Sequence, residues 1–206
     1  MTTTSTFLHT SLDTSTENMQ FDDMLLEKVK QDSSKRYFRF YTWKNPGITY
    51  SYNKTIPDDL LSIDKSKRVT GGGVVFHSPG DIVFSITARL DDPYFPKRFK
   101  DKICFVSKKL SSIIQDAAGI NLGQSEEESE NNILFCNSYP NPYEKYYKSQ
   151  KVLAFAQRRL RDTFIVQGLI HTQSTHDYFG SHATYSKYFT KGLQQTLDLS
   201  IFSQAL

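Results

Sequence analysis

Gly71, Gly72 and Gly73 form an unbroken run directly ahead of Val74-Val75-Phe76-His77, with the basic pair Lys67-Arg68 just before it. Glycine loses more backbone freedom on folding than any other residue and gives a strand nothing to pack. Three in a row at the start of a strand therefore imply that another group comes very close to this backbone. The surroundings read as strands: "KRVT", then "VVFH", then "DIVFSITA" after a Ser78-Pro79-Gly80 turn.

The rest of the chain fits around that block as one α+β domain, a mixed or antiparallel sheet flanked by helices. Residues 1–17 are rich in Ser and Thr and read as a frayed start to a single domain spanning 1–206. "NMQFDDMLLEKVKQ" spaces Met19, Phe21, Leu25, Leu26 and Val29 as on a helix, with Asn18 placed to cap it. "YFRFYTW" and "GITYSYN" read as strands joined by an Asn45-Pro46-Gly47 turn, and "PDDLLSID" as a short helix. The clearest amphipathic pattern places Phe99, Ile103, Val106, Leu110, Ile113 and Ala117 on one helical face, ending at Gly119. "ILFC" (133–136), "KVLAFAQRR" and "DTFIVQGLIH" read as further strands, and "TYSKYFTKGLQQTL" as a closing helix.

Composition narrows the function classes. A net charge of +3 with scattered basic residues gives no footprint for nucleic acid. No apolar run is long enough to span a bilayer, and the N-terminus lacks a secretory pattern, so a cytoplasmic protein without a membrane partner is expected. The two cysteines, Cys104 and Cys136, form no zinc-ligand spacing. Cys104 lies within the amphipathic helix and reads as a buried, inert thiol. Cys136 ends a strand and opens a loop, "CNSYPNPYE". His171 reads as a surface residue and His77 as a hydrogen-bonded strand end. Trp43 reads equally well as core or as the wall of a pocket.

The stretch "KRVTGGGVVFHSPGDIVFSI" resembles the signature of the lipoate-protein ligase A family. "NMQFDDMLLE" is similar to that family's first helix, and "RFYTWKNPGITYSYNK" to its tryptophan strand pair. "KVLAFAQRRLRDTFIVQG" resembles the segment carrying its essential lysine, here Lys151. The resemblance covers nearly the whole chain and implies a catalytic domain of the biotin/lipoate protein ligase type. It implies acyl- or adenylate-binding roles for Arg68, Gly71, Gly72, Gly73, Val74, Phe76, His77, Ala154 and Gly168, with Trp43 lining the acyl pocket. Physically, glycine backbone N–H groups can cradle an acyl-adenylate. Arg68 can pair with phosphate, and a fixed Lys151 ammonium can stabilise charge growing on a carbonyl oxygen. The implied substrates are lipoate or octanoate, with ATP and Mg2+ for a ligase. The implied acceptor is a lysine on a lipoyl domain of a 2-oxoacid dehydrogenase subunit or related carrier protein.

The chain also departs from that pattern. A family glycine three residues after the lysine is Ala154, and a family histidine is Gln167. An Asn-Asp pair becomes Asn131-Asn132, the expected neighbourhood of any Mg2+. A C-terminal accessory domain is not evident, so a separate accessory subunit is one way to complete a ligase. The loop from Cys136 through Pro140 or Pro142 and Tyr143-Glu144 is similar to the cysteine-bearing segment of the octanoyltransferase branch, where a thiolate would gain acidity from the nearby lysine. Three readings follow. The first is an ATP-dependent lipoate-protein ligase acting through an acyl-adenylate. The second is an ATP-independent transferase acting through a Cys136 thioester. The third is a degenerate member that only binds lipoyl species. Biotin ligases share the fold type but use a Gly/Arg alternation that this chain lacks.

Overall fold

The computed structural model of the chain describes residues 3–124, 134–136 and 141–206. Among the described residues nine strands form two sheets. The larger is built from β1 (Thr4–Leu8), β2 (Lys35–Thr42), β6 (Ile82–Arg89), β9 (Thr163–Ile170), β8 (Gln150–Arg159) and β7 (Lys145–Tyr147), in that spatial order. Only its β1–β2 pair is parallel. The smaller sheet orders β4 (Asp64–Arg68), β3 (Gly47–Ser51) and β5 (Val75–His77), parallel on one side and antiparallel on the other.

Strand alternation sends Phe38 and Phe40 of β2 and Phe84 and Ile86 of β6 to one face of the large sheet. There they meet Ile103, Leu110 and Ile114 of α2 (Phe99–Ala118), and Phe202 of α4 (Ser200–Ala205) stacks on Phe40 with centroids 4.6 Å apart. The opposite face carries Tyr41, Val83 and Leu169, covered by Met19 of α1 (Ser15–Gln31). A second core joins the small sheet to the C-terminal region: Ile48, Val74 and Phe76 pack with Phe135, Phe179, Tyr185, Tyr188 and Phe189. Phe179 ends α3 (Thr175–Phe179).

Several boundaries differ from the sequence reading. The expected frayed start contains β1, whose Phe7 stacks on Phe38 at 4.9 Å. Helix α1 begins earlier than expected: Thr14 is its N-cap and exchanges hydrogen bonds with Glu17 in a capping box. Asn18 is buried inside the helix instead and accepts from Arg39. The described part of "ILFC" makes one isolated bridge, Phe135 to Val74, rather than a strand. The expected closing helix is a 3-10 stretch over Gly180–Tyr188 followed by irregular chain. Among the described residues no helix is long and apolar enough to cross a membrane.

Candidate active site

The glycine run answers its own question. A Cβ on Gly73 would lie 2.5 Å from the Leu134 carbonyl oxygen and 2.7 Å from the Cys136 nitrogen. The close approach is therefore made by the chain itself. Val74 N–H donates to Leu134 O at 2.6 Å and Cys136 N–H donates to Val74 O at 2.9 Å, fixing the cysteine's backbone against the strand. Next to it Phe135 lies between Phe76 and Tyr188, with centroids 6.0 and 4.2 Å away. Gly72 takes φ +95°, which a side chain would strain.

Arg68 stabilises the same loop from below. Its Nη2 donates to Gly71 O at 2.8 Å and to Gly73 O at 2.7 Å, and its Nη1 lies 3.3 Å from Thr49 Oγ1. The guanidinium assigned above to phosphate is thus directed largely at the loop's own carbonyls.

Two cavities meet at Cys136. The first, about 390 Å³ counting the space open to solvent, is walled by Met19, Val75, Val83, Ala154, Gly168 and Leu169, with Thr49, Arg68, His77 and Gln167 as polar members. Its room comes from short side chains: Ala154 and Ala156 on β8 face Leu169 and Gln167 on β9. The second, about 440 Å³ counting the space open to solvent, is bounded by Gly71, Gly72, Asn141, Glu144 and Gln157. Cys136, Phe155 and Ala156 belong to both.

Alternation along β5 sorts the residues expected here. Val75 and His77 face the first cavity, whereas Val74 and Phe76 turn into the second core and do not line it. Trp43 is also displaced from the expected pocket wall. It is buried and stacks on His77, centroids 4.1 Å apart, supporting a residue that does line the cavity. His77 Nε2 lies 2.8 Å from Thr49 Oγ1, and burial above all holds its pKa well below the usual histidine value, so the ring is neutral. His171 is buried rather than on the surface, its Nδ1 3.3 Å from Asp81 Oδ2. Cys104 is half-buried on α2 and lines neither cavity.

Lys151 is buried at the start of β8, and its Nζ donates to Cys136 O at 2.7 Å. The same Nζ is 2.7 Å from Glu144 Oε2, while Cys136 Sγ lies 3.8 Å from Glu144 Oε1. The carboxylate thus spans lysine and thiol. Burial pushes Glu144 up to about 7 against the pull of Lys151. Burial also works to discharge Lys151, but Cys136 and Glu144 outweigh it and raise its pKa above the ordinary lysine value. Burial and then Glu144 raise the Cys136 pKa, so the thiol is not acidified as its nearness to Lys151 suggested.

Sequence reasoning gave Glu144 no role, although "YE" stood in the quoted loop. It also missed a buried chain beside the first cavity: Thr70 Oγ1 donates to Gln167 Oε1 at 2.9 Å, and Gln167 Nε2 donates to Asp22 Oδ2 at 2.8 Å. Asp22 in turn pairs with buried Arg39 at 2.8 Å. Among the described residues no group of three or more His, Cys, Asp or Glu is placed to hold a metal ion. Asn131, Asn132 and Pro140 lie outside the described residues.

Residues 14–198 match the family model of the lipoyl protein ligase A/B catalytic domain. The chain belongs to this family. Within the lipoyl protein ligase A/B family it is similar to octanoyltransferase LipM of Clostridioides difficile, 27% identical over 164 residues, covering 74% of this chain and 60% of the relative. It is 26% identical over 163 residues to octanoyltransferase LipM of Carboxydothermus hydrogenoformans, covering 75% and 60%. The chain thus spans about 60% of the length of these curated relatives. In fold it is similar to protein Ta0514 of T. acidophilum, with a TM-score of 0.67 at 14% identity, covering 100% of this chain and 82% of the other.

Proposed function

We propose that the chain is an octanoyltransferase of protein lipoylation, passing a medium-length acyl group from a thioester donor through Cys136 to a lysine of a lipoyl domain. The observation that carries this reading is the position of Cys136 at the junction of two cavities, with Lys151 on its carbonyl. The first cavity is lined mainly by apolar side chains, as an acyl tail requires. The second gives donor and acceptor a route to the same sulfur. Attack by sulfur on the thioester carbonyl forms the Cys136 acyl thioester and releases the donor thiol. Attack by the acceptor amine then forms the amide and frees Cys136. Lys151 supplies a fixed positive charge beside both tetrahedral intermediates. The similarity to LipM octanoyltransferases points the same way. ATP-dependent ligation is weaker because the Arg68 guanidinium is turned onto the Gly71 and Gly73 carbonyls and Gly73 packs against the Cys136 segment.

The test is intact-mass analysis of enzyme and lipoyl domain with an octanoyl thioester and no ATP. The acylated domain and a transient 1:1 octanoyl adduct on the enzyme are expected, and Cys136→Ala removes both. Acylation seen only with free octanoate, ATP and Mg2+ would instead make the chain a ligase.

A further inference from the structure

Strand β7 pairs with β8 only as far as Leu153. Beyond it the outer edge of β8 has no strand neighbour among the described residues, and Phe155, Ala156 and Gln157 border the second cavity there. Gly71 and Gly72 border the same space without side chains, and nothing lies within 4 Å of where a Gly71 Cβ would sit. The space between is open to a slender, unbranched stem such as that of a lysine. Among the described residues three side chains bring acceptor oxygens to this cavity: Asn141, Glu144 and Gln157. Asn141 Oδ1 accepts from the Tyr143 N–H at 3.0 Å, and Glu144 is held between Lys151 and Cys136. Gln157 Oε1 is buried with no hydrogen-bond partner. A buried acceptor without a donor is uncommon in folded proteins. One that borders the space beside the nucleophile is placed for a donor that arrives with the substrate. The backbone that carries it is fixed: the neighbouring Arg158 donates from Nη1 to Val69 O at 3.0 Å and lies over Tyr52, 4.2 Å from the ring centroid.

Building on the thioester reading above, we infer that Gln157 orients the acceptor amine: its Oε1 accepts a hydrogen bond from one N–H of the incoming lysine nitrogen and turns the nitrogen lone pair toward the acyl carbonyl on Cys136. A neutral amine carries two N–H groups and one lone pair in roughly tetrahedral directions. Holding one N–H removes most of the rotation that would point the lone pair away from the carbon. In the step itself the bond from nitrogen to the acyl carbon forms and the bond from that carbon to the Cys136 sulfur breaks. The nitrogen's other proton ends on the freed sulfur, so the products are an amide and a thiol. The N–H held by Gln157 stays on the amide nitrogen. An uncharged carbonyl suits this task, because a carboxylate in its place would favour the ammonium form, which has no lone pair. The role belongs to the second half-reaction alone. In the first, the attacking atom is the Cys136 sulfur, whose backbone is already fixed against Val74, and no amine takes part.

The test compares wild type, Gln157→Met and Cys136→Ala. Methionine keeps the length and shape of glutamine and removes the carbonyl. Octanoyl-enzyme is formed with S-octanoyl-N-acetylcysteamine and freed of the donor. It is then chased either with a lipoyl domain or with methyl thioglycolate, a thiol that carries no N–H. All three steps are followed by intact mass in single turnovers. Gln157→Met should form the adduct, and lose it to the thiol, within about threefold of the wild-type rates. Its transfer to the lipoyl domain should fall at least about tenfold, equivalent to about 1.4 kcal/mol. The loss should persist at saturating lipoyl domain, because it lies in the attack and not in docking. Transfer by Gln157→Met within about threefold of wild type would overturn the inference. So would equal losses in all three steps, which would mark Gln157 as a support for the sulfur. Slowed adduct formation beside unimpaired transfer would also overturn it, by assigning Gln157 to the amide N–H of the donor. An adduct on Cys136→Ala, or none on wild type, would overturn the underlying thioester reading. A wild-type adduct that Cys136→Ala lacks, beside unimpaired transfer by Gln157→Met, would overturn only the role of Gln157.

Discussion

The three consecutive glycines are not equivalent, and the difference is measurable one residue at a time. Gly71 has no atom within 4 Å of where a Cβ would sit, and its φ is not positive. Gly71→Ala should therefore change stability by no more than about 0.5 kcal/mol. Gly73 has backbone atoms of Leu134, Phe135 and Cys136 at 2.5–2.7 Å from the same position. Backbone cannot swing away as a flexible side chain can, so Gly73→Ala must push the cysteine segment off β5. We expect a cost of about 2 kcal/mol and a Tm lowered by about 4–8 °C for a chain of this size. Acyl transfer should fall by more than Gly71→Ala makes it fall, because the displaced segment carries the nucleophile. Thermal melts of the two variants decide it, and equal melting temperatures would remove the close-approach argument. The need for a close approach was legible in the sequence. The identity of the approaching group was not, since residues 73 and 136 are brought together only by the fold. The same limit hid Glu144: nothing in "PYEK" announces burial beside a lysine seven residues on.

At the scale of elements, α2 was readable from its period near 3.6, and β8 and β9 from short continuous apolar runs bounded by polar residues. Strand β1 was not, because its "TSTFL" is mostly polar and gains its place by parallel pairing with β2. The start of α1 was in the sequence as Thr14 with Glu17 three residues on, a capping box that the more central Asn18 obscured. Strand β5 shows a different limit. Both of its faces are buried, so alternation alone does not say whether Val75 or Phe76 meets the cavity. Gln167 is where three elements are joined: β9 carries it, α1 supplies Asp22, and the loop after β4 supplies Thr70. Gln167→Ala strands buried Thr70 Oγ1 and weakens the satisfaction of Asp22, which should cost about 1–3 kcal/mol. Gln167→His offers one ring nitrogen to accept and one to donate, so it should recover part of that loss. Urea unfolding midpoints check both, and an unchanged midpoint for Gln167→Ala would mean that this chain of hydrogen bonds does not couple helix to sheet.

On the scale of the whole molecule, the two sheets and α1 enclose one apolar cavity that opens at Cys136 to a second space, with the basic Arg68 guanidinium turned into the glycine loop. That arrangement should select ligands by their acyl tails more than by their phosphates. A ligand bound only by the folded state raises stability by RT ln(1 + [L]/Kd), about 2.7 kcal/mol at 100 times Kd. For a chain of this length that corresponds to a Tm rise of roughly 5–11 °C. Cys136→Ala, which cannot turn over the thioester, should show a shift of this kind with saturating S-octanoyl-N-acetylcysteamine. ATP with Mg2+ should leave its melting temperature unchanged, because the Arg68 Nη2 that would meet a phosphate donates to the Gly71 and Gly73 carbonyls and the Val74 N–H to the Leu134 carbonyl. A clear rise with ATP and Mg2+ would show that the loop opens to a nucleotide, and the ATP-dependent reading would then replace the transferase. A rise with the thioester that disappears when its acyl chain is shortened to acetyl would place the recognition in the first cavity, where Met19, Val83 and Leu169 have apolar surface to cover.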